Sequence, residues 1–141
     1  MMEISEPSTA NAQRLWHYLG DVERWGDHLP TFKSVRHVGG PTPTDVGSRF
    51  EVRQPGVATA VYEITRWEPE QGFTWVGRVP GVATTGSHDI EPDGDGNRIR
   101  LALDWSGPLA WAIRPLLSAK ARRMMQSEGQ TIAGLAERPE G

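Results

Sequence analysis

The hydrophobic period of this 141-residue chain changes twice, and those two changes constrain its fold more than any composition figure. Near the N-terminus Ala12, Leu15, Trp16 and Leu19 recur at helical spacing. From Phe32 to Trp105 apolar and polar residues alternate instead, in short runs broken by turn residues. After Gly107-Pro108 the helical period returns. The order predicted is a strand at 3–6 ended by Pro7, two small helices at 10–19 and 22–27, strands at 32–38, 48–54, 58–67, 73–78, 84–91 and 98–105, then one long helix. Ser8 or Thr9 would cap the first helix and Asp21 the second. Pro115 suits a first helical turn, so a short turn at 109–114 is expected before a helix over about 115–137, weakened toward its end by Gly129 and Gly134.

A sheet with one apolar face needs a cover, and the long helix is the one large element left to supply it. At 1.5 Å per residue such a helix runs roughly 34 Å, enough to cross a whole sheet. If the sheet curves, a space opens between the two. The expectation is a single α+β domain over 1–141: a curved antiparallel sheet of six to seven strands wrapped around one C-terminal helix.

Composition narrows the function. There is no cysteine, which excludes disulfides, thiolate metal sites and cysteine nucleophiles. A net charge of −3 gives no reason to expect a nucleic-acid partner. No apolar run suggests membrane insertion, and the first residues lack the basic flank and apolar core of a secretory signal, so a cytoplasmic location is expected. The four histidines lack paired ligand spacing, Asp93-Gly94-Asp95-Gly96 lacks the glycine of a calcium loop, and Ser87 is in no nucleophile elbow. No metal or cofactor is expected. The fragment Pro-Gly-Val-Ala-Thr occurs at 55–59 and again at 80–84, each time at a turn, and reads as one hairpin solution used twice.

Strand alternation places one set of side chains on the covered face. It comprises Phe50 and Val52, Tyr62 and Ile64, Phe73 and Trp75, His88 and Ile90, and Ile99, Leu101, Leu103 and Trp105. Trp67 and Val61 fall with the polar set. The long helix offers a stripe of Leu117, Ala121, Met124, Glu128, Ile132 and Leu135. Aromatic residues at strand period are either packed core or the wall of a small-molecule site, and His88 is either a satisfied interior imidazole or a ligand contact.

The residues resemble a known superfamily. Asp21-Val22-Glu23-Arg24-Trp25 with Leu29-Pro30 resembles the helix–helix corner of the START-like, Bet v 1-like (SRPBCC) proteins. Gly47-Ser48-Arg49-Phe50, residues 62–69 and Phe73-Thr74-Trp75 are similar to its central strands, and Gly86 to Pro92 and Ser106-Gly107-Pro108-Leu109 to its last hairpin and helix entry. The likeness is to the polyketide cyclase/dehydrase and lipid-transport branch. It implies a helix-grip fold whose apolar cavity binds lipids, polyketides or similar small apolar molecules, with Trp25 added to the pocket wall. The corner Trp-Pro-x-Trp of that family reads Trp25-Gly26-Asp27-His28 here, so His28 is either a polar handle at the mouth or a surface residue. The first reading is a binder of one small apolar ligand, monomeric or homodimeric. The second is a cyclase, aromatase or dehydratase using Tyr62, His88 and Glu128 as acid–base groups. The third, echoed by Asp21, Trp25 and Leu29-Pro30, is a ubiquinone-binding or protein-interaction module.

Overall fold

The computed structural model describes residues 2–138. Seven antiparallel strands form one sheet in the order β1-β7-β6-β5-β4-β3-β2. The strands are β1 (Met2–Ser8), β2 (Ser34–Gly39), β3 (Arg49–Arg53), β4 (Ala60–Glu68), β5 (Gly72–Val79), β6 (Val82–Asp93) and β7 (Gly96–Ser106). From β2 to β7 the chain meanders, while β1 joins the far edge beside β7. The chain must therefore cross the sheet between β1 and β2. It does so through α1 (Ala12–Leu19), a 3-10 turn (Val22–Arg24) and α2 (Trp25–His28). The long helix α3 (Ala110–Glu137) covers the remaining part of the same face. This is the helix-grip arrangement.

Several local readings need correcting. β1 reaches Ser8 with Pro7 inside it. As the sheet's edge it has one neighbour, where a residue without N–H is tolerated. Ser8 is consequently no cap: its hydroxyl donates to Glu137 at 3.0 Å and accepts from the Ala10 N–H. Asn11 caps α1 instead, its side-chain oxygen accepting from the Arg14 N–H at 2.9 Å. Asn11→Ala should cost about 1 kcal/mol in a denaturant titration. Asp21 makes no side-chain capping bond. Phe32 precedes β2, closing a turn onto the Leu29 carbonyl and packing edge-on against Trp25 at 5.0 Å.

Pro115 lies inside α3, because the helix starts at Ala110 without a separate turn. The missing N–H leaves the Trp111 carbonyl without its helical donor on an exposed turn, where water can reach it. At its other end the helix continues past both glycines. The Arg14 guanidinium donates to the carbonyls of Ala136 (2.7 Å) and Arg138 (2.9 Å), satisfying acceptors that a helix terminus leaves open. Gly129 also has a packing reason: a Cβ there would stand 3.2 Å from Ile4 and Glu6 on β1.

Trp67 belongs to the inner face. The register of β4 against β5 slips between Ile64 and Arg66, so Thr65 is an extra residue and the alternation reverses beyond it. Trp67 then packs edge-on against Trp16 at 4.9 Å and against Phe73 at 5.5 Å.

Candidate functional site

The inner face of the sheet divides in two. Toward the helix corner, Phe73 is wholly buried and touches the rings of Trp16, Trp25, Trp67 and Trp75 at centroid distances of 6.4, 5.9, 5.5 and 5.5 Å. Trp25, itself 1% exposed, donates its indole N–H to the Tyr18 carbonyl at 3.1 Å. These rings make an aromatic plug. Trp25, Phe50, Ile64, Phe73 and Ile90 are buried core and do not line the open space, in contrast to their expected place on the pocket wall.

Beyond the plug the sheet curves away from α3 and leaves a cavity of about 380 Å³. Val52, Tyr62, Trp75, His88, Leu101, Leu103 and Trp105 line it from the sheet. Leu117, Met124 and Glu128 line it from α3. Two cross-strand glycines make room for the largest rings. A Cβ at Gly77 would stand 2.7 Å from the Tyr62 ring, and one at Gly86 would stand 3.1 Å from the Trp75 indole nitrogen. Tyr62 is paired with Gly77 and Trp75 with Gly86 across the ladder, so each ring lies flat over a bare backbone position.

The mouth is marked by lining residues that solvent reaches: Gly56, Val57 and Ala58 after β3, and Val79 before the β5–β6 turn. Both Pro-Gly-Val-Ala-Thr copies contribute lining residues, Gly56, Val57 and Ala58 from the first and Val82 and Thr84 from the second. They are not the same hairpin. Pro80-Gly81 is a two-residue turn between paired Val79 and Val82, with Gly81 at φ 85°, whereas Pro55-Gly56 sits in a longer loop. Lys120 reaches from α3 to the Gly56 carbonyl at 3.1 Å and straps that loop to the helix.

All three candidate acid–base groups line this one cavity. Glu128 is 8% exposed, and burial pushes its carboxyl up to about 8, opposed by the Thr31 hydroxyl, which donates to its Oε1 at 3.2 Å. It is therefore mostly a neutral acid at pH 7. His88 is 7% exposed and stacks on Phe73, centroids 4.3 Å apart and planes within 10°. Burial drives its pKa down to about 3; the Phe73 backbone opposes this and the Arg66 charge adds to it. Its Nδ1 has no hydrogen-bond partner among the described residues. Tyr62 is raised by burial, with a Thr84 hydrogen bond opposing and Glu128 adding to the rise. These three groups thus present uncharged donors and an uncharged acceptor at neutral pH, and the one lining cation among the described residues, Lys120, is turned to the Gly56 carbonyl.

His28 is exposed beside Tyr18, 5.8 Å between centroids, and takes no part in the cavity. No group of three or more His, Asp or Glu side chains stands close enough to hold a metal ion among the described residues. Among the described residues no helix is long and apolar enough to cross a membrane. Sequence reasoning missed Phe32, Thr31, Thr84 and the mouth loop; the duplicated pentapeptide was the available signal for the last.

No curated protein sequence matches. Among solved structures, the di-domain aromatase/cyclase StfQ of the steffimycin biosynthetic pathway superposes with a TM-score of 0.78 at 12% identity, over 96% of this chain and 50% of that one. The chain therefore spans half the length of that protein. The aromatase/cyclase ZhuI from a Streptomyces species gives 0.74 at 18% identity, covering 97% of this chain and 93% of that one. Ara h 8.0201 gives 0.66 at 13% identity, over 96% and 95% of the two chains. At these identities the likeness concerns the fold. The sequence itself matches the family model described as polyketide cyclase / dehydrase and lipid transport over residues 2–137, and the chain belongs to that family of the START-like, Bet v 1-like superfamily.

Proposed function

We propose that this protein binds one small, largely apolar and uncharged molecule between the sheet and α3. The observation that carries this reading is the 380 Å³ cavity beside a fully packed aromatic plug. Trp16, Trp25, Trp67 and Phe73 close the interior on one side, whereas Tyr62, Trp75 and Trp105 stand as a wall around open space on the other. A volume of this order accommodates a ligand of modest size, with polar groups few enough to orient it. Native mass spectrometry of gently purified protein should reveal bound apolar mass. The fluorescent probe anilinonaphthalene sulfonate should bind the ligand-free protein, and Ala60→Trp, which fills the wall between Val52 and Tyr62, should weaken it at least about tenfold. Equal probe binding by a folded Ala60→Trp variant would remove the cavity as the site.

A second reading, proton-transfer catalysis of the cyclase or dehydratase kind, is favoured by one observation: Tyr62, His88 and Glu128 face the same space. Their environments assign roles. Imidazole with a pKa near 3 is too weak a base to remove an α-proton efficiently, so His88 is an acceptor that orients a hydroxyl through Nδ1. The protonated Glu128 carboxyl is the general acid, able to protonate a departing hydroxyl, and Tyr62 is a donor to a carbonyl oxygen. A synthetic poly-β-ketone thioester offers a test. Glu128→Gln should lower its cyclisation or dehydration rate by about 100-fold or more, whereas an unchanged rate would leave binding as the function.

A further inference from the structure

We propose that the cavity's rim and the outer face of the first turns of α3 form a docking surface for an anionic lipid bilayer. The proposal stands on exposed side chains and charge, and does not depend on what the cavity holds.

Trp111 is 74% exposed and Leu116 76%, the largest values among the exposed large apolar residues. On the outer side of α3 they are accompanied by exposed Pro115 and Ala119. The same end of the molecule exposes Leu109, Val79 and Val57. Their proximity is fixed by the backbone. Leu109 donates its N–H to the Gly81 carbonyl at 3.0 Å, which joins the helix start to the β5–β6 turn, and Lys120 holds the β3–β4 loop. Scattered apolar residues on a surface need no explanation, but a tryptophan, two leucines and two valines gathered on one rim do.

Charge selects the occupant. The chain as a whole carries −3, yet residues 106–127 contain Arg114, Lys120, Arg122 and Arg123 and no acidic residue. Arg122 and Arg123 are both exposed, on the turn that follows the apolar tip. A helix with tryptophan and leucine outward and arginines behind them matches the headgroup region of an anionic membrane. The rings and aliphatic chains enter the acyl boundary while the guanidinium groups remain among phosphates. The surface is built from one helix and two turns, and a layer of uniform negative charge can meet all three at once. Docking here would turn the cavity mouth toward the bilayer without inserting any segment across it.

Flotation of the full-length protein with vesicles tests this. Binding to phosphatidylcholine vesicles containing phosphatidylglycerol should be at least about tenfold tighter than to phosphatidylcholine alone, and should weaken in high salt. Trp111→Ser with Leu116→Ser, and separately Arg122→Glu with Arg123→Glu, should each lower it by about tenfold or more. Both variants should keep the thermal melt and probe binding of the parent, since none of these residues lines the cavity. Failure of the parent to float with anionic vesicles would overturn the proposal, as would variants that bind like the parent. Light scattering that finds a dimer broken by the Trp111/Leu116 change would assign the face to a second copy of the chain and overturn it equally.

Discussion

Glu128→Gln is expected to make the protein more stable at neutral pH, by an amount on the order of 3 kcal/mol at pH 7. The folded carboxyl holds its proton up to about pH 8, whereas the unfolded one releases it near 4.5. Between those values each pH unit therefore costs the fold about 1.4 kcal/mol, because the unfolded state alone gains charge. Glutamine retains the shape and can still accept from Thr31, and it carries no such cost. His88 acts with the opposite sign. Its folded pKa of about 3 lies below the ordinary 6.5, so its neutral form supports the fold above 6.5 and that support is lost as pH falls toward 3. From pH 4.5 to 6.5 the two slopes cancel. Denaturant midpoints across pH should show a level region there, falling on both sides, and Glu128→Gln should abolish the alkaline decline and turn the level region into a rise toward pH 6.5. A parent protein as stable at pH 8 as at pH 6.5, where Glu128 alone sets the slope, would mean that water reaches Glu128.

Phe73→Ala is expected to cost about 4 kcal/mol, enough to unfold a marginally stable domain of this size. Phe73 is 0% exposed and is the ring on which the plug converges, holding Trp16, Trp25, Trp67, Trp75 and His88 at once. Its removal leaves a void that indoles are too rigid to fill. Leu117→Ala, on the half-buried cavity wall, should cost far less, about 1 kcal/mol, because it removes atoms that already border open space. Paired urea titrations give the contrast directly. Similar losses at the two positions would argue that plug and cavity are packed alike.

The element order was legible in the sequence because period and turn residues are local. What failed was non-local. Nothing in the string 62–67 reveals that Thr65 bulges, since the slip is defined against β5, and Trp67 was therefore assigned to the wrong face. Pro115 looked like a helix start because proline suits a first turn and removes a hydrogen bond from a helix interior, although the backbone runs through it. Strand alternation identified the inner face, but alternation has no depth coordinate. It could not separate Phe50, Ile64, Phe73 and Ile90 in the plug from Val52, Tyr62, Trp75 and Leu103 around the cavity. That boundary is drawn by Trp16 and Trp25, which arrive from the helix corner. The position of Glu128 was readable as a carboxylate on an apolar stripe; its protonation depends on how deeply α3 is seated.

Gly77 and Gly86 give the site an unusual means of adjustment. Each stands against a ring, Gly77 off the cavity lining and Gly86 within it, so a methyl group at either would act as a shim beside Tyr62 or Trp75. At Gly77 the Tyr62 ring would be tipped toward α3 and the cavity narrowed without any change to a residue that lines it. Selectivity for ligand width is thereby written partly in the layer behind the wall. Two relatives could share every contact residue and still accept molecules of different girth.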